Sequence, residues 1–202
     1  MKKFLSIFAI ISLFLITGCM NDDGDLNDTQ GNNEETPEDT GDESYDAGTY
    51  KVGTDLVAGE YYLVSNEDEE GKLKINECDE SCSKVLVDKE FSNNYYVAVT
   101  EGHSITVEGA VMYSVNHKPN PGITYISSMT IEEGMYKVGT DIPEGSYMLD
   151  NIDQTGYFKI LSGLGKDATI IDEGSINLNV SKHLAKGQYI IIEGSSMYYN
   201  MH

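Results

Sequence analysis

From about residue 48 onward, apolar positions fall in short runs that alternate with polar ones, and no run keeps the three-to-four spacing of a helix. The runs are rich in Val, Ile, Tyr and Thr and are separated by clusters of Gly, Asn, Asp and Ser, which is the pattern of strands and turns. Seven strands are expected around 50–52, 60–65, 72–76, 84–88, 94–99, 103–108 and 111–115. Seven more are expected near 135–138, 146–150, 157–161, 168–172, 176–180, 188–193 and 196–200. Period-two alternation points Tyr50, Val52, Tyr61, Leu63, Leu73, Ile75, Ile105 and Val107 inward.

The two sets of strands are copies of one unit. Gly48 to Leu63 returns as Gly134 to Leu149, with ten of sixteen positions identical. Gly71-Lys72-Leu73-Lys74-Ile75 answers to Gly156-Tyr157-Phe158-Lys159-Ile160. Leu86-Val87-Asp88 answers to Ile170-Ile171-Asp172, and Gly102–Tyr113 to Gly187–Tyr198. Several shared residues have mechanical uses. Gly53 and Gly139 stop the first strand of each copy, and Asp55 and Asp141 are placed for Asx-type hydrogen bonds. Gly109-Ala110 and Gly194-Ser195 suit two-residue hairpins.

The expected fold is therefore all-β: two tandem homologous β-sandwich or barrel-like domains, at 48–116 and 134–202. Residues 117–133 form a junction, with Pro119 and Pro121 unsuited to a central ladder and an extra strand expected within 123–131. The alternative is one pseudo-symmetric domain with a shared core.

The N-terminus has a different pattern. Met1-Lys2-Lys3 precedes an almost wholly apolar stretch from Phe4 to Ile16. That stretch is short of the ~18–20 residues a membrane span needs and reads as a signal peptide over 1–18. Ile16-Thr17-Gly18-Cys19 resembles the bacterial lipobox. The resemblance implies diacylglyceryl transfer to the Cys19 thiol, cleavage before it, further acylation such as palmitate, and a cell-membrane anchor on the extracytoplasmic face. Residues 19–47 hold eleven acidic residues and no lysine, and have too little apolar surface to fold, so a disordered acidic linker is expected.

Charge sharpens this picture. The 202-residue chain carries −21, with 13 lysines, no arginine and 34 acidic residues. Lys2 and Lys3 belong to the signal and eleven acids to the linker, so the β body keeps 11 lysines against 23 acids, or −12. Both parts repel phosphate backbones, which excludes nucleic acid as a partner.

The block Tyr-Lys-Val-Gly-Thr-Asp-(Leu/Ile)-x-x-Gly-x-Tyr, at 50–61 and 136–147, resembles tandem small all-β repeats of uncharacterised cell-surface lipoproteins of low-GC Gram-positive bacteria. Leu56-Val57-Ala58 departs mildly from the Ile-Pro form at Ile142-Pro143. The resemblance implies a surface module and supplies no catalytic residues.

Candidate chemistry is sparse. Cys78 and Cys82 remain once Cys19 is lipidated, and a disulfide is the default outside the membrane; free thiols and a metal or redox site are the alternatives. The acidic turn Asn66-Glu67-Asp68-Glu69-Glu70-Gly71 reads as a solvated hairpin tip, since calcium-loop spacing is missing. His103, His117, His183 and His202 stand in no nucleophile motif. The adjacent pairs Tyr61-Tyr62, Tyr95-Tyr96 and Tyr198-Tyr199 should each turn one ring outward, offering aromatics to a ligand.

These features lead to an expectation of a monomeric, non-enzymatic binding or scaffold lipoprotein, with no cofactor and no metal, that touches the membrane through Cys19 and engages an envelope protein or glycan. An extracellular carboxylate- or metal-dependent enzyme and a purely structural spacer are the alternatives.

Overall fold

The computed structural model describes residues 44–77, 84–120, 130–151 and 156–200. The signal, the lipidation site, nearly all of the acidic linker and both Cys78 and Cys82 lie outside these residues. The described chain is all-β. Its first copy comprises β1 (Ser44–Tyr45), β2 (Gly48–Lys51), β3 (Gly59–Ser65), β4 (Gly71–Glu77), β5 (Lys84–Phe91), β6 (Asn94–Val99), β7 (His103–Glu108) and β8 (Ala110–Ser114). The second comprises β9 (Gly134–Lys137), β10 (Gly145–Asn151), β11 (Gly156–Leu161), β12 (Ile170–Ile176), β13 (Val180–Leu184), β14 (Tyr189–Glu193) and β15 (Ser195–Tyr199).

The strands form four antiparallel sheets, ordered β1-β8-β3-β6 and β2-β7-β4-β5 in the first copy and β13-β10-β15 and β12-β11-β14-β9 in the second. Each copy is a two-sheet sandwich with its own core. Leu63, Leu73, Ile75, Ile105, Val107 and Met112 fill the first; Leu149, Phe158, Ile160, Ile190, Ile192 and Met197 fill the second. The duplicated unit also reaches further back than Gly48. Tyr45 pairs with Met112, and Ile131 forms an isolated bridge with Met197, the equivalent position.

The repeated opening block is a closed loop. Lys51 N–H donates to Asp55 Oδ2 at 2.8 Å, and Asp55 N–H donates back to Lys51 O at 2.8 Å. Lys137 and Asp141 repeat this at 2.7 and 2.8 Å. Gly53, at φ +94°, can then turn its N–H onto Leu56 O, as Gly139 at φ +88° does onto Ile142 O. The shared tyrosines bond four residues upstream. Tyr50 and Tyr61 donate to the carbonyls of Asp46 and Val57, and Tyr136 and Tyr147 to those of Glu132 and Pro143. A buried phenol thus satisfies its hydroxyl while its ring fills the core.

Four expectations need correction. Gly109 and Gly194 do not turn hairpins. β7 and β8 belong to different sheets, so the chain changes layer at Gly109, as it does at Gly194 between β14 and β15. Both take φ near +60°, and a Cβ on Gly109 would stand 2.6 Å from Glu70 O. The acidic turn is likewise a crossing between sheets, from β3 to β4, and not a hairpin tip. Leu86-Val87-Asp88 is displaced by one residue from the expected alignment: both copies carry a β-bulge at the same place, after Ile75 and after Ile160, so the pairing keeps one offset and Val85 answers to Ile170. Asp88 faces Lys74 as Glu173, not Asp172, faces Lys159. Finally, the strand expected at 176–180 runs from Val180 to Leu184, because Ile176 closes β12 as Phe91 closes β5.

Gly109→Ala should therefore lose about 1–3 kcal/mol of stability from its strained φ and its clash with Glu70. Gly59→Ala, where an added Cβ meets nothing within 4 Å, should stay within about 0.5 kcal/mol of the parent. Urea midpoints at unchanged m-value measure both.

Candidate functional site: the junction between the copies

The outer face of the β1-β8-β3-β6 sheet packs on the outer face of the β12-β11-β14-β9 sheet. Tyr62 and Tyr96 from the first copy meet Met135, Tyr189 and Ile191 from the second in a third apolar cluster. Tyr62 and Tyr96 have ring centroids 4.7 Å apart, and Tyr96 meets Tyr189 edge-on at 5.3 Å.

Comparing equivalent positions explains why this face is sticky. Thr49, Ser104 and Thr106 in the first copy stand where the second has Met135, Tyr189 and Ile191. Lys72 and Asn76 likewise stand where the second copy has Tyr157 and Leu161. The fold-determining residues agree between the copies, whereas these outward residues of one sheet are polar in the first copy and apolar in the second.

Polar groups lock the contact. Asp141 is the centre: Oδ2 accepts from the Tyr96 hydroxyl at 2.7 Å and from Lys137 N–H at 2.7 Å, and Oδ1 faces Lys118 Nζ at 2.6 Å. The Lys118 and Asp141 side chains are 9% and 1% exposed. Glu60 Oε2 receives Lys137 Nζ at 2.7 Å and the Tyr189 hydroxyl at 2.8 Å. Asn94 accepts from Met135 N–H at 2.8 Å, so a side chain serves the outer edge of β9 in place of a neighbouring strand. Asn93 donates to Glu133 O at 2.8 Å, and Lys89 reaches Glu193.

Burial raises the pKa of the Tyr62, Tyr96 and Tyr189 hydroxyls well above the usual phenol range. The nearby Asp141 carboxylate adds to this at Tyr62 and Tyr96, and the Glu60 hydrogen bond adds to it at Tyr189. Burial also pushes Tyr136 up to about 12.

Beside the covered area the same face stays open. A groove of about 390 Å³ lies where the first copy ends, walled by Lys89 and Tyr95 and floored by Tyr157, Leu161 and Ile191. Ile170, 52% exposed, stands at its outer edge. A smaller hollow of about 180 Å³ continues past Glu193 to Phe91 and Asn94. Lys89 and Glu193 line both, so their ion pair spans the line between them. Tyr157 donates to Glu173, and Lys159 pairs with the same carboxylate at 3.1 Å. These two partners hold Glu173 below the usual carboxylate range.

The expected outward tyrosines are redistributed. Tyr61 and Tyr62 are each 3% exposed, so this pair presents no ring to solvent: Tyr61 enters the first core, and the second copy covers Tyr62. Tyr96 is buried in the junction, while Tyr95 is half-buried and reaches the groove. Tyr198 and Tyr199 are half-buried in β15, away from the groove, with Tyr199 edge-on to Tyr147 at 5.2 Å. Tyr157, Leu161 and Ile191, which identity between the copies could not flag, are the residues that build the open floor.

His103, His117 and His183 contact hydroxyls of nearby threonine or serine residues. His202 lies outside the described residues. Among the described residues, no group of three or more His, Cys, Asp or Glu side chains is placed to hold a metal ion. No protein-family model matches the chain, and no curated protein matches it.

Two outcomes follow from the junction. Asp141→Ala strands the buried Lys118 ammonium and should cost about 3–5 kcal/mol. Asp55→Ala, its exposed equivalent, should cost only about 1 kcal/mol; paired urea titrations measure the difference. The raised tyrosine pKa values also set an alkaline limit. Above about pH 10 the unfolded chain ionises these phenols while the folded one keeps their protons, so the native state binds more protons and stability falls as pH rises. Absorbance titration near 295 nm should show Tyr62, Tyr96 and Tyr189 silent until the fold opens.

Proposed function

We propose that this chain is a lipoprotein of the cell membrane, anchored on the extracytoplasmic face through Cys19, whose duplicated β body is a non-enzymatic binding module for an envelope protein or glycan. The observation that carries the binding reading is the open groove beside the junction. Tyr157 and Leu161 carry the apolar face on from the buried Ile191 into the groove, whereas the matching positions Lys72, Asn76 and Thr106 of the first copy are polar. An apolar floor with Lys89, Lys159 and Glu193 beside it offers contact area and orienting charges together. The lipobox-like Ile16-Thr17-Gly18-Cys19, followed by an acidic linker, supports the location.

Two measurements test this reading. Cys19→Ser in the full chain should abolish lipid labelling and move the protein from the membrane fraction to the soluble one; retention in the membrane would refute the anchor. Envelope extracts and a glycan array should yield a ligand bound by the parent and weakened at least tenfold by Tyr157→Lys, the residue that the first copy carries at this position. Binding no greater than that of the isolated acidic linker would refute the module.

A further inference from the structure

The Lys118–Asp141 contact has a division of labour between the two carboxylate oxygens. Oδ1 faces the Lys118 ammonium at 2.6 Å, in a site with almost no water access. The ammonium stands over two aromatic rings, with the Tyr62 and Tyr96 centroids 4.9 and 6.0 Å away. Oδ2 sits between two donors, the Tyr96 hydroxyl and the Lys137 backbone N–H, each at 2.7 Å. Two fixed donors on one carboxylate oxygen are also the arrangement that stabilises an oxyanion during acyl transfer. A nitrogen held 2.6 Å from the other oxygen is also kept next to the carbon that joins the two, which is the proximity that condensation needs.

We propose that Lys118 and Asp141 condense to an intramolecular amide that ties the junction segment to the second copy. The reaction needs one proton to pass first from the Lys118 ammonium to Oδ1, along the 2.6 Å contact, giving a neutral amine and a neutral acid. The Nζ lone pair then forms a bond to Cγ. The negative charge that develops on Oδ2 is held by the Tyr96 hydroxyl and the Lys137 N–H. The Cγ–Oδ1 bond breaks, and Oδ1 takes a second proton from the nitrogen and leaves as water. One ammonium and one carboxylate become one amide and one water, so no oxidant, reductant or co-reactant is consumed. Exclusion of water then protects the amide from hydrolysis. The equivalent Asp55 is exposed and has no lysine ammonium bonded to it among the described residues, so the cross-link belongs to the second copy's loop.

The test is peptide mapping of the full chain after reduction and alkylation of its cysteines. The expected product is a branched peptide that joins the Lys118 and Asp141 segments and is lighter than the two linear peptides by one water. Lys118→Arg keeps the positive charge and should abolish the branched peptide. Tyr96→Phe should slow its appearance in newly synthesised chain, followed over time after cell-free translation, by about 100-fold, the effect of removing one oxyanion donor. Recovery of both segments from the parent only as linear peptides would overturn the proposal. So would a branched peptide that survives Lys118→Arg. An unchanged rate in Tyr96→Phe would overturn the role given to the two donors on Oδ2.

Discussion

A single carboxylate organises the meeting of the two copies. Asp141 closes its own loop through Lys137 N–H, as Asp55 does through Lys51 N–H. Only Asp141 also receives Tyr96 from the first copy and Lys118 from the segment between them. A charge this deeply buried is tolerated only when it is paired and its lone pairs are used, and each of its partners comes from a different part of the chain. The junction can therefore form only when three segments arrive together. Tyr62 and Tyr189 are then buried by the same event, and their hydroxyls are kept from ionising by the same low-dielectric surroundings.

The groove is a by-product of this asymmetry. Two sandwiches joined through outward faces do not cover each other completely, so some of the apolar surface must stay open. Tyr157 and Leu161 lie on that remainder, while Met135 and Tyr189 lie under the first copy. The Lys89–Glu193 pair crosses between the copies where the covered part ends. The buried junction and the open groove thus draw on one set of residue differences in one sheet.

Much of the fold was legible from residues whose role is local. The alternating Leu73-Lys74-Ile75 reads directly as inward and outward positions, and Val-Gly-Thr-Asp reads as a turn closed by an aspartate. The partition into sheets was not legible, because it depends on pairings distant in sequence: Gly109 looks like a hairpin glycine until β7 and β8 are seen in different layers. The junction was half legible. Reading the copies for identity found the scaffold, and reading them for difference, Thr49 against Met135 or Ser104 against Tyr189, marks the face that packs on the first copy. Asp55 and Asp141 lie beyond both readings, since the same residue in the same loop has different neighbours.

The polar character of Thr49, Ser104 and Thr106 bears on growth of the assembly. The junction is heterologous, one surface of the first copy on a different surface of the second, and such a contact can in principle propagate head to tail into a fibre. For that, the far side of the second copy would have to offer Tyr62 and Tyr96 again, but the equivalent positions are Met148 and Ser181. The near side of the first copy would have to offer Met135 and Tyr189, but it holds Thr49 and Ser104. Both outer ends are blunted, so the stacking through this contact is self-limiting at two units, however high the local concentration of the chain.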